Sequence, residues 1–256
     1  VGATENIMLA AVYAKGRTII NNPAKEPEII SLQNFLKAMG VSVYGAGSGR
    51  IVIEGREEIA CDMEFDIIPD RIEAGTMMAA AAITGGELYL QNIIPGHIRP
   101  IILKMTEAGC HIQEEEDSLK VTAPKRLKAV DITRTSPYPG FPTDMQPQTV
   151  AMLSLAQGTS IMIETVFDNR FGYTEELKKM GADIFVEGRA AIIRGVPELY
   201  GSYVKSKDLR GGAALILAGL AAKGETIVDG AVHIERGYDK IEDKLRNVGA
   251  DIIKID

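Results

Sequence analysis

The chain has 256 residues, 46% hydrophobic and 25% charged, a balance that supports a packed core in one or two domains and excludes intrinsic disorder. A net charge of −7 argues against wrapping nucleic acid, which needs a basic surface, and no apolar run reaches the ~18 residues of a membrane span. Two cysteines, three histidines and no tryptophan make neither a disulfide framework, a histidine-rich metal site nor a stacking platform, and fit a reducing cytoplasm.

Four segments in succession share one plan: an Ala-rich helix, a Gly, a short β-type run, an amphipathic helix, a second Gly, then alternating β-type residues. The first repeat opens with ATENIMLAAVYAKG (residues 3–16), continues through TIINN, and closes its second helix, EIISLQNFLKAMG, at Gly40. The second takes IEAGTMMAAAAITGG (72–86), ELYLQNI and IRPIILKMTEAG, ending at Gly109. The third takes DMQPQTVAMLSLAQG (144–158), SIMIETV and YTEELKKMG, ending at Gly181. The fourth takes LRGGAALILAGLAAKG (209–224), ETIVDG and YDKIEDKLRNVG, ending at Gly249.

Gly16, Gly86, Gly158 and Gly224 stand 70, 72 and 66 residues apart, and Gly40, Gly109, Gly181 and Gly249 stand 69, 72 and 68 apart. All eight follow a helical pattern, where a left-handed residue ends the helix. The second helices are one-sided, as in Leu32, Phe35, Leu36 and Met39, or in Ile241, Leu245 and Val248. The first helices are apolar almost all round and should be buried on every side. SVYGAGSGRIVIEG and DIFVEGRAAIIRG read as hairpins. The expected fold is α/β (α+β), with sheets outside buried helices, the inverse of the usual barrel.

Repeat spacing also superimposes positions. Fourteen residues before the first Gly of each repeat stand Gly2, Ile72, Asp144 and Arg210; twelve after it stand Glu28, Ile98, Arg170 and Arg236. All fall at or near helix starts, which favour anions. If equivalent ends converge on a pseudo-symmetry axis, repeats three and four bring Asp144, Arg170, Arg210 and Arg236 together. Three guanidiniums suit phosphate and carboxylate, and a carboxylate ionised among them can take a proton from a hydroxyl. The alternative is a set of surface ion pairs and N-caps. Two features favour a site: the ordered approach SPYPGFPTD, and the recurrence of Arg, Gly and Tyr in NRFGY and ERGYDK.

Other candidates are weaker. Cys61 and Cys110 lack a basic helix-start context and read as packing residues. His97, His111 and His233 are scattered. The five residues EEEDS read as a solvated turn. GAGSGR sits in a hairpin turn with no helix behind it, so it is not a dinucleotide loop.

VGATENIMLAA, AKEPEI, PDRIEAGT, FPTDMQPQ, ETVFDNRF, DLRGGAALILAGL and HIERGYDKIEDKLRNVGA resemble the UDP-N-acetylglucosamine enolpyruvyl transferases from Val1 to the end. The resemblance implies two inside-out α/β domains of three repeats each. It implies transfer of enolpyruvyl from phosphoenolpyruvate to the 3′-hydroxyl of UDP-N-acetylglucosamine, the committed step of peptidoglycan synthesis, with no metal or organic cofactor. By motif, Asp144 would contact the sugar hydroxyl and take its proton. Arg170, Arg210 and Arg236 would hold phosphoenolpyruvate, and Asp208 would pair with a catalytic lysine. Val1, Gly2, Thr143, Val166 and Phe167 would line the UDP-sugar side.

The family has six repeats and this chain four, so the resemblance implies a C-terminal portion without the family's lysine and reactive cysteine, and with negligible turnover alone. Residues 1–67 would be the last repeat of the first domain. Residues 68–256 would be the second domain, lacking its N-terminal strand. The apolar helix near Ile7 would then need a partner: a missing N-terminal portion or a second copy. Two alternatives share the repeats: the 3-phosphoshikimate relative, with the same chemistry on another alcohol, and a non-catalytic member.

Overall fold

The computed structural model describes residues 1–59 and 62–255. Cys61 therefore lies outside the described residues. The chain divides into two compact units, Val1–Pro69 with Pro137–Gly140, and Asp70–Ser136 with Phe141–Asp256. The excursion 137–140 differs from a single cut near residue 67. Within that unit the Tyr138 N–H donates to Glu26 Oε1 at 3.4 Å.

The first unit is one repeat: α1 (Gly2–Ala11), β1 (Arg17–Asn21), α2 (Pro27–Ala38), β2 (Ser42–Tyr44) and β3 (Arg50–Glu54). Its antiparallel sheet runs β1-β3-β2. Strand alternation turns Val43, Ile51 and Ile53 inward, onto Met8 and Val12 from the α1 segment and Ile29 and Leu36 of α2. The helix near Ile7 is thus not bare all round: Met8, Ala11 and Val12 are buried, while Ile7 and Leu9 remain half exposed.

The second unit holds the other three repeats. They comprise α3 (Arg71–Thr84), β4 (Glu87–Gln91), α4 (Arg99–Glu107), β5 (His111–Glu114) and β6 (Ser118–Thr122); then β7 (Ile132–Arg134), α5 (Gln146–Leu153), β8 (Thr159–Ile163), α6 (Thr174–Lys179), β9 (Asp183–Glu187) and β10 (Ala190–Arg194); then β11 (Tyr203–Lys205), α7 (Leu209–Ala221), β12 (Ile227–Asp229), α8 (Ala231–Ile234) and α9 (Ile241–Asn247). The sheets run β4-β6-β5, β7-β8-β10-β9 and β11-β12. Within each complete repeat the first strand pairs antiparallel with the second strand of its hairpin, while β7 and β11 join β8 and β12 in parallel.

The first helices of these repeats, α3, α5 and α7, pack on one another, and each also meets a sheet of its own repeat. Small side chains allow that close approach. Most of α3, all of α5 and the middle of α7 are buried, as the absence of a polar face requires. The second helices cover the outside through single stripes: Ile101, Ile102 and Met105 on α4, Ile241 and Leu245 on α9. Val248 belongs to no such stripe; it is half exposed beyond the end of α9.

Seven of the eight spaced glycines have positive φ. The exception is Gly86, because the left-handed residue closing α3 is Gly85 (φ 69°), whose N–H returns to Ala81 and Ala82. GAGSGR forms the β2–β3 turn, and residues 115–117 form the β5–β6 turn. No helix among the described residues is long and apolar enough to cross a membrane.

Candidate functional site

The start of α5 is unusual. A 3-10 turn, Thr143–Met145, precedes it, and neither has a side-chain cap. Asp144 is therefore no N-cap. Its Oδ1 accepts from Arg170 at 3.0 Å and its Oδ2 from Arg210 at 2.9 Å. The carboxylate is 37% exposed, whereas the Arg170 and Arg210 side chains are 17% and 15% exposed. One half-open anion thus separates two nearly buried cations.

Each cation is held from behind. Arg170, in the loop before α6, stacks on the Phe167 ring at 4.7 Å. Arg210, in the first turn of α7, donates through a second nitrogen to the Tyr238 hydroxyl at 3.2 Å. Burial opposes the Arg210 charge, but Asp144 and Tyr238 outweigh it and hold its pKa above the usual arginine range.

Asp208 does cap a helix. Its Oδ1 accepts from the backbone N–H of Arg210 at 3.0 Å and of Gly211 at 2.8 Å, which fixes the turn carrying Arg210. Beside it a cavity of about 360 Å³ is lined by Arg170, Asp208, Lys205, Lys207 and Tyr173, among others. Burial pushes the Tyr173 hydroxyl well above its ordinary pKa, against the pull of Arg170.

A second cluster adjoins Asp144. Glu164, 1% exposed, accepts four bonds and forms no salt bridge among the described residues: from Thr135 Oγ1 (2.8 Å), the Val166 and Phe167 N–H groups (2.8 and 3.1 Å), and Thr143 Oγ1 (2.8 Å). It ties Thr143, Val166 and Phe167 into one unit and leaves Val166 and Phe167 partly exposed at 42% and 49%.

The structure thus brings together Asp144, Arg170 and Arg210, with Asp208 beneath and Thr143, Val166 and Phe167 alongside. Arg236 does not join by contact. It is exposed, because the side chain its segment turns inward is Tyr238, 2% exposed. Val1 and Gly2 lie at the exposed start of α1, in the first unit. Cys110 is buried, and burial lifts its thiol to about 11. No group of three or more His, Cys, Asp and Glu among the described residues can hold a metal ion.

The spacing argument missed Glu164, Tyr238 and the glutamines of α5. Its clue was the recurrent Tyr of NRFGY and ERGYDK. Tyr173 donates to Gln146 Oε1 at 3.1 Å, and Tyr238 receives Gln148 Nε2 at 3.1 Å. Each tyrosine fastens an arginine-bearing loop to α5.

Comparison with known proteins settles the relationship. The sequence model of EPSP synthase (3-phosphoshikimate 1-carboxyvinyltransferase) matches residues 1–245. The chain belongs to the EPSP synthase family. Within it, the chain is 58% identical over 255 residues to UDP-N-acetylglucosamine 1-carboxyvinyltransferase 2 of Caldanaerobacter subterraneus subsp. tengcongensis, covering 100% of this chain and 61% of that protein. It is 51% identical over 255 residues to the UDP-N-acetylglucosamine 1-carboxyvinyltransferase of Thermodesulfovibrio yellowstonii, with the same coverage of each. The chain spans about three fifths of the length of these relatives. Among solved structures, the enolpyruvyl transferase NikO from Streptomyces tendae matches with TM-score 0.87 and 26% identity over 98% of this chain and 59% of its own. EPSP synthase from Acinetobacter baumannii, at 20% identity and TM-score 0.74 over 98% of this chain and 60% of its own, shares the fold. The α/β architecture of the EPSP synthase family, with its repeats, is therefore the architecture of this chain.

Proposed function

We propose that this protein transfers enolpyruvyl from phosphoenolpyruvate to the 3′-hydroxyl of UDP-N-acetylglucosamine and releases phosphate, the step that commits the sugar to peptidoglycan. The observation that carries the reading is the Asp144 carboxylate held between Arg170 and Arg210. The names of the similar proteins support the nucleotide sugar as acceptor.

In this reading Asp144 takes the proton of the 3′-hydroxyl. The freed oxygen attacks C2 of phosphoenolpyruvate while the methylene carbon gains a proton. The adduct then loses that proton and phosphate, restoring the double bond. Two fixed guanidiniums stabilise the phosphate and carboxylate charges as they develop. Arg236 joins them once substrate bridges the gap, and Asp208 keeps the α7 turn in place and faces a catalytic lysine. Thr143, Val166 and Phe167 line the sugar-nucleotide side, and Val1 and Gly2 are assigned to binding the same substrate. Cys110, buried and held as the thiol, is not the acid that protonates the methylene carbon. The reading assigns that acid, and the cover for Ile7 and Leu9, to a further portion of the protein.

The test is phosphate release from phosphoenolpyruvate by the full-length gene product. Release should require UDP-N-acetylglucosamine and be lost in Asp144→Asn. Release driven by 3-phosphoshikimate instead would move the protein to the other alcohol. Nucleotide-sugar binding without release would mark a non-catalytic member.

A further inference from the structure

Behind Arg210 lies a buried polar junction that joins three repeats. Tyr238, Thr76 of α3 and Gln148 of α5 are 2%, 1% and 0% exposed. The Tyr238 hydroxyl lies 2.9 Å from Thr76 Oγ1, and Gln148 Nε2 lies 3.1 Å from both oxygens. Thr76 also donates to the Ile72 carbonyl at 2.8 Å.

Counting hydrogens gives the junction a direction. A guanidinium has only hydrogens to offer, so the Tyr238 oxygen accepts from Arg210. The Gln148 nitrogen also donates to that oxygen. The phenol's single hydrogen is therefore left for Thr76, whose own hydrogen goes to Ile72. The chain of donors runs Arg210, Tyr238, Thr76, Ile72 carbonyl, and every step is buried behind the arginine.

We propose that Tyr238 is a positioning residue that sets the Arg210 guanidinium for anion binding. This rests on the enolpyruvyl transferase reading of the same site. Asp144 grips one nitrogen of Arg210 from the solvent side, and Tyr238 grips the other from the core. Together they fix the plane of the fork, so its remaining N–H groups point where a phosphate or carboxylate arrives. Its attraction for Asp144 would draw an unanchored Arg210 toward the aspartate, at the expense of the substrate.

The experiment uses the full-length gene product and its Tyr238→Phe, Thr76→Val and Arg210→Ala variants. Inorganic phosphate binding is measured by calorimetry, phosphoenolpyruvate KM and kcat by phosphate release, and Tm by thermal unfolding. Tyr238→Phe should weaken phosphate and raise the KM for phosphoenolpyruvate about tenfold, the scale of a hydrogen bond to a charged group. The Tm should hold within a few degrees. Thr76→Val, which leaves the phenol in place without its acceptor, should shift both constants the same way by less, and it provides the test if Tyr238→Phe fails to fold. Loss of Tm with unchanged phosphate affinity in both variants would make the junction structural only and overturn the proposal. If Arg210→Ala weakens phosphate while Tyr238→Phe does not, the proposal falls and the reading of the site stands. If Arg210→Ala binds phosphate as the wild type does, both fall.

Discussion

Replacing Asp144 by Asn removes a charge from between two guanidiniums without changing the side chain's size. Two arginines and one carboxylate give the wild-type cluster a net +1; the variant has +2. An amide oxygen can still accept from one arginine, but its NH₂ end then faces the other. With Asp144 37% exposed and its partners 17% and 15% exposed, the loss falls between that of a surface pair and that of a buried one. About 2 kcal/mol of stability should go, lowering Tm by roughly 4–8 °C in a protein of this size. The same change should favour a bound anion. Removing a like charge roughly 6 Å away, at an effective dielectric of about 40, relieves about 1.4 kcal/mol, or about tenfold in Kd. Turnover should nevertheless drop by about 10²-fold or more, because the proton acceptor is gone. Stability and rate fall while phosphate affinity rises. Thermal unfolding and calorimetric titration of phosphate at low salt read the first and last. An Asn variant that binds phosphate no better than wild type would refute the electrostatic account of the site.

Two further predictions test the scaffold. A Cβ at Gly195 would sit 1.6 Å from the Ala156 carbonyl oxygen, just where the Gly195 N–H closes the repeat onto the Gly158 carbonyl at 2.9 Å. Gly195→Ala should therefore cost about 2–4 kcal/mol in chemical unfolding, and a cost under about 0.5 kcal/mol would show that the junction can open freely. Burial raises the Cys110 thiol from 9.0 to about 11, so the folded state keeps its proton where the unfolded chain loses it. The contribution of this group to stability is full below pH 9 and declines from pH 9 to 11. Labelling by a thiol reagent at pH 8 should wait for unfolding; rapid labelling of Cys110 in the native protein, identified by peptide mass, would contradict its placement.

The repeats were legible because their signals are local. Hydrophobic period separates the all-apolar helix from the one-sided one, and a glycine marks each end. Superposing the repeats then put Asp144, Arg170 and Arg210 at helix starts, where the structure has them in contact. Arg236 obeyed the same spacing but not the same geometry. In an irregular segment the inward side chain is chosen by what the core accepts, and here Tyr238 goes in. Glu164 left no pattern. It sits just past β8, and its donors come from Thr135, Thr143 and the Val166 and Phe167 N–H groups, a set that only the folded chain assembles. The Gly85 for Gly86 exchange has a simpler cause: with two glycines in a row, spacing alone does not choose the left-handed one.

Repetition also accounts for the one-sidedness of the site. At the two helix-start positions the second repeat carries Ile72 and Ile98, buried at 4% and 1%, where the third carries Asp144 and Arg170 and the fourth Arg210 and Arg236. The same backbone positions thus serve core in one repeat and charge in the others. The second repeat still reaches the site, through Thr76, one turn further along α3 and directed at Tyr238. A charged pair placed at Ile72 and Ile98 would face the core, with several kcal/mol of desolvation against it. The three repeats are therefore not interchangeable: two present charge to the site, and the third supplies the dry, hydrogen-bonded backing that keeps Arg210 in place.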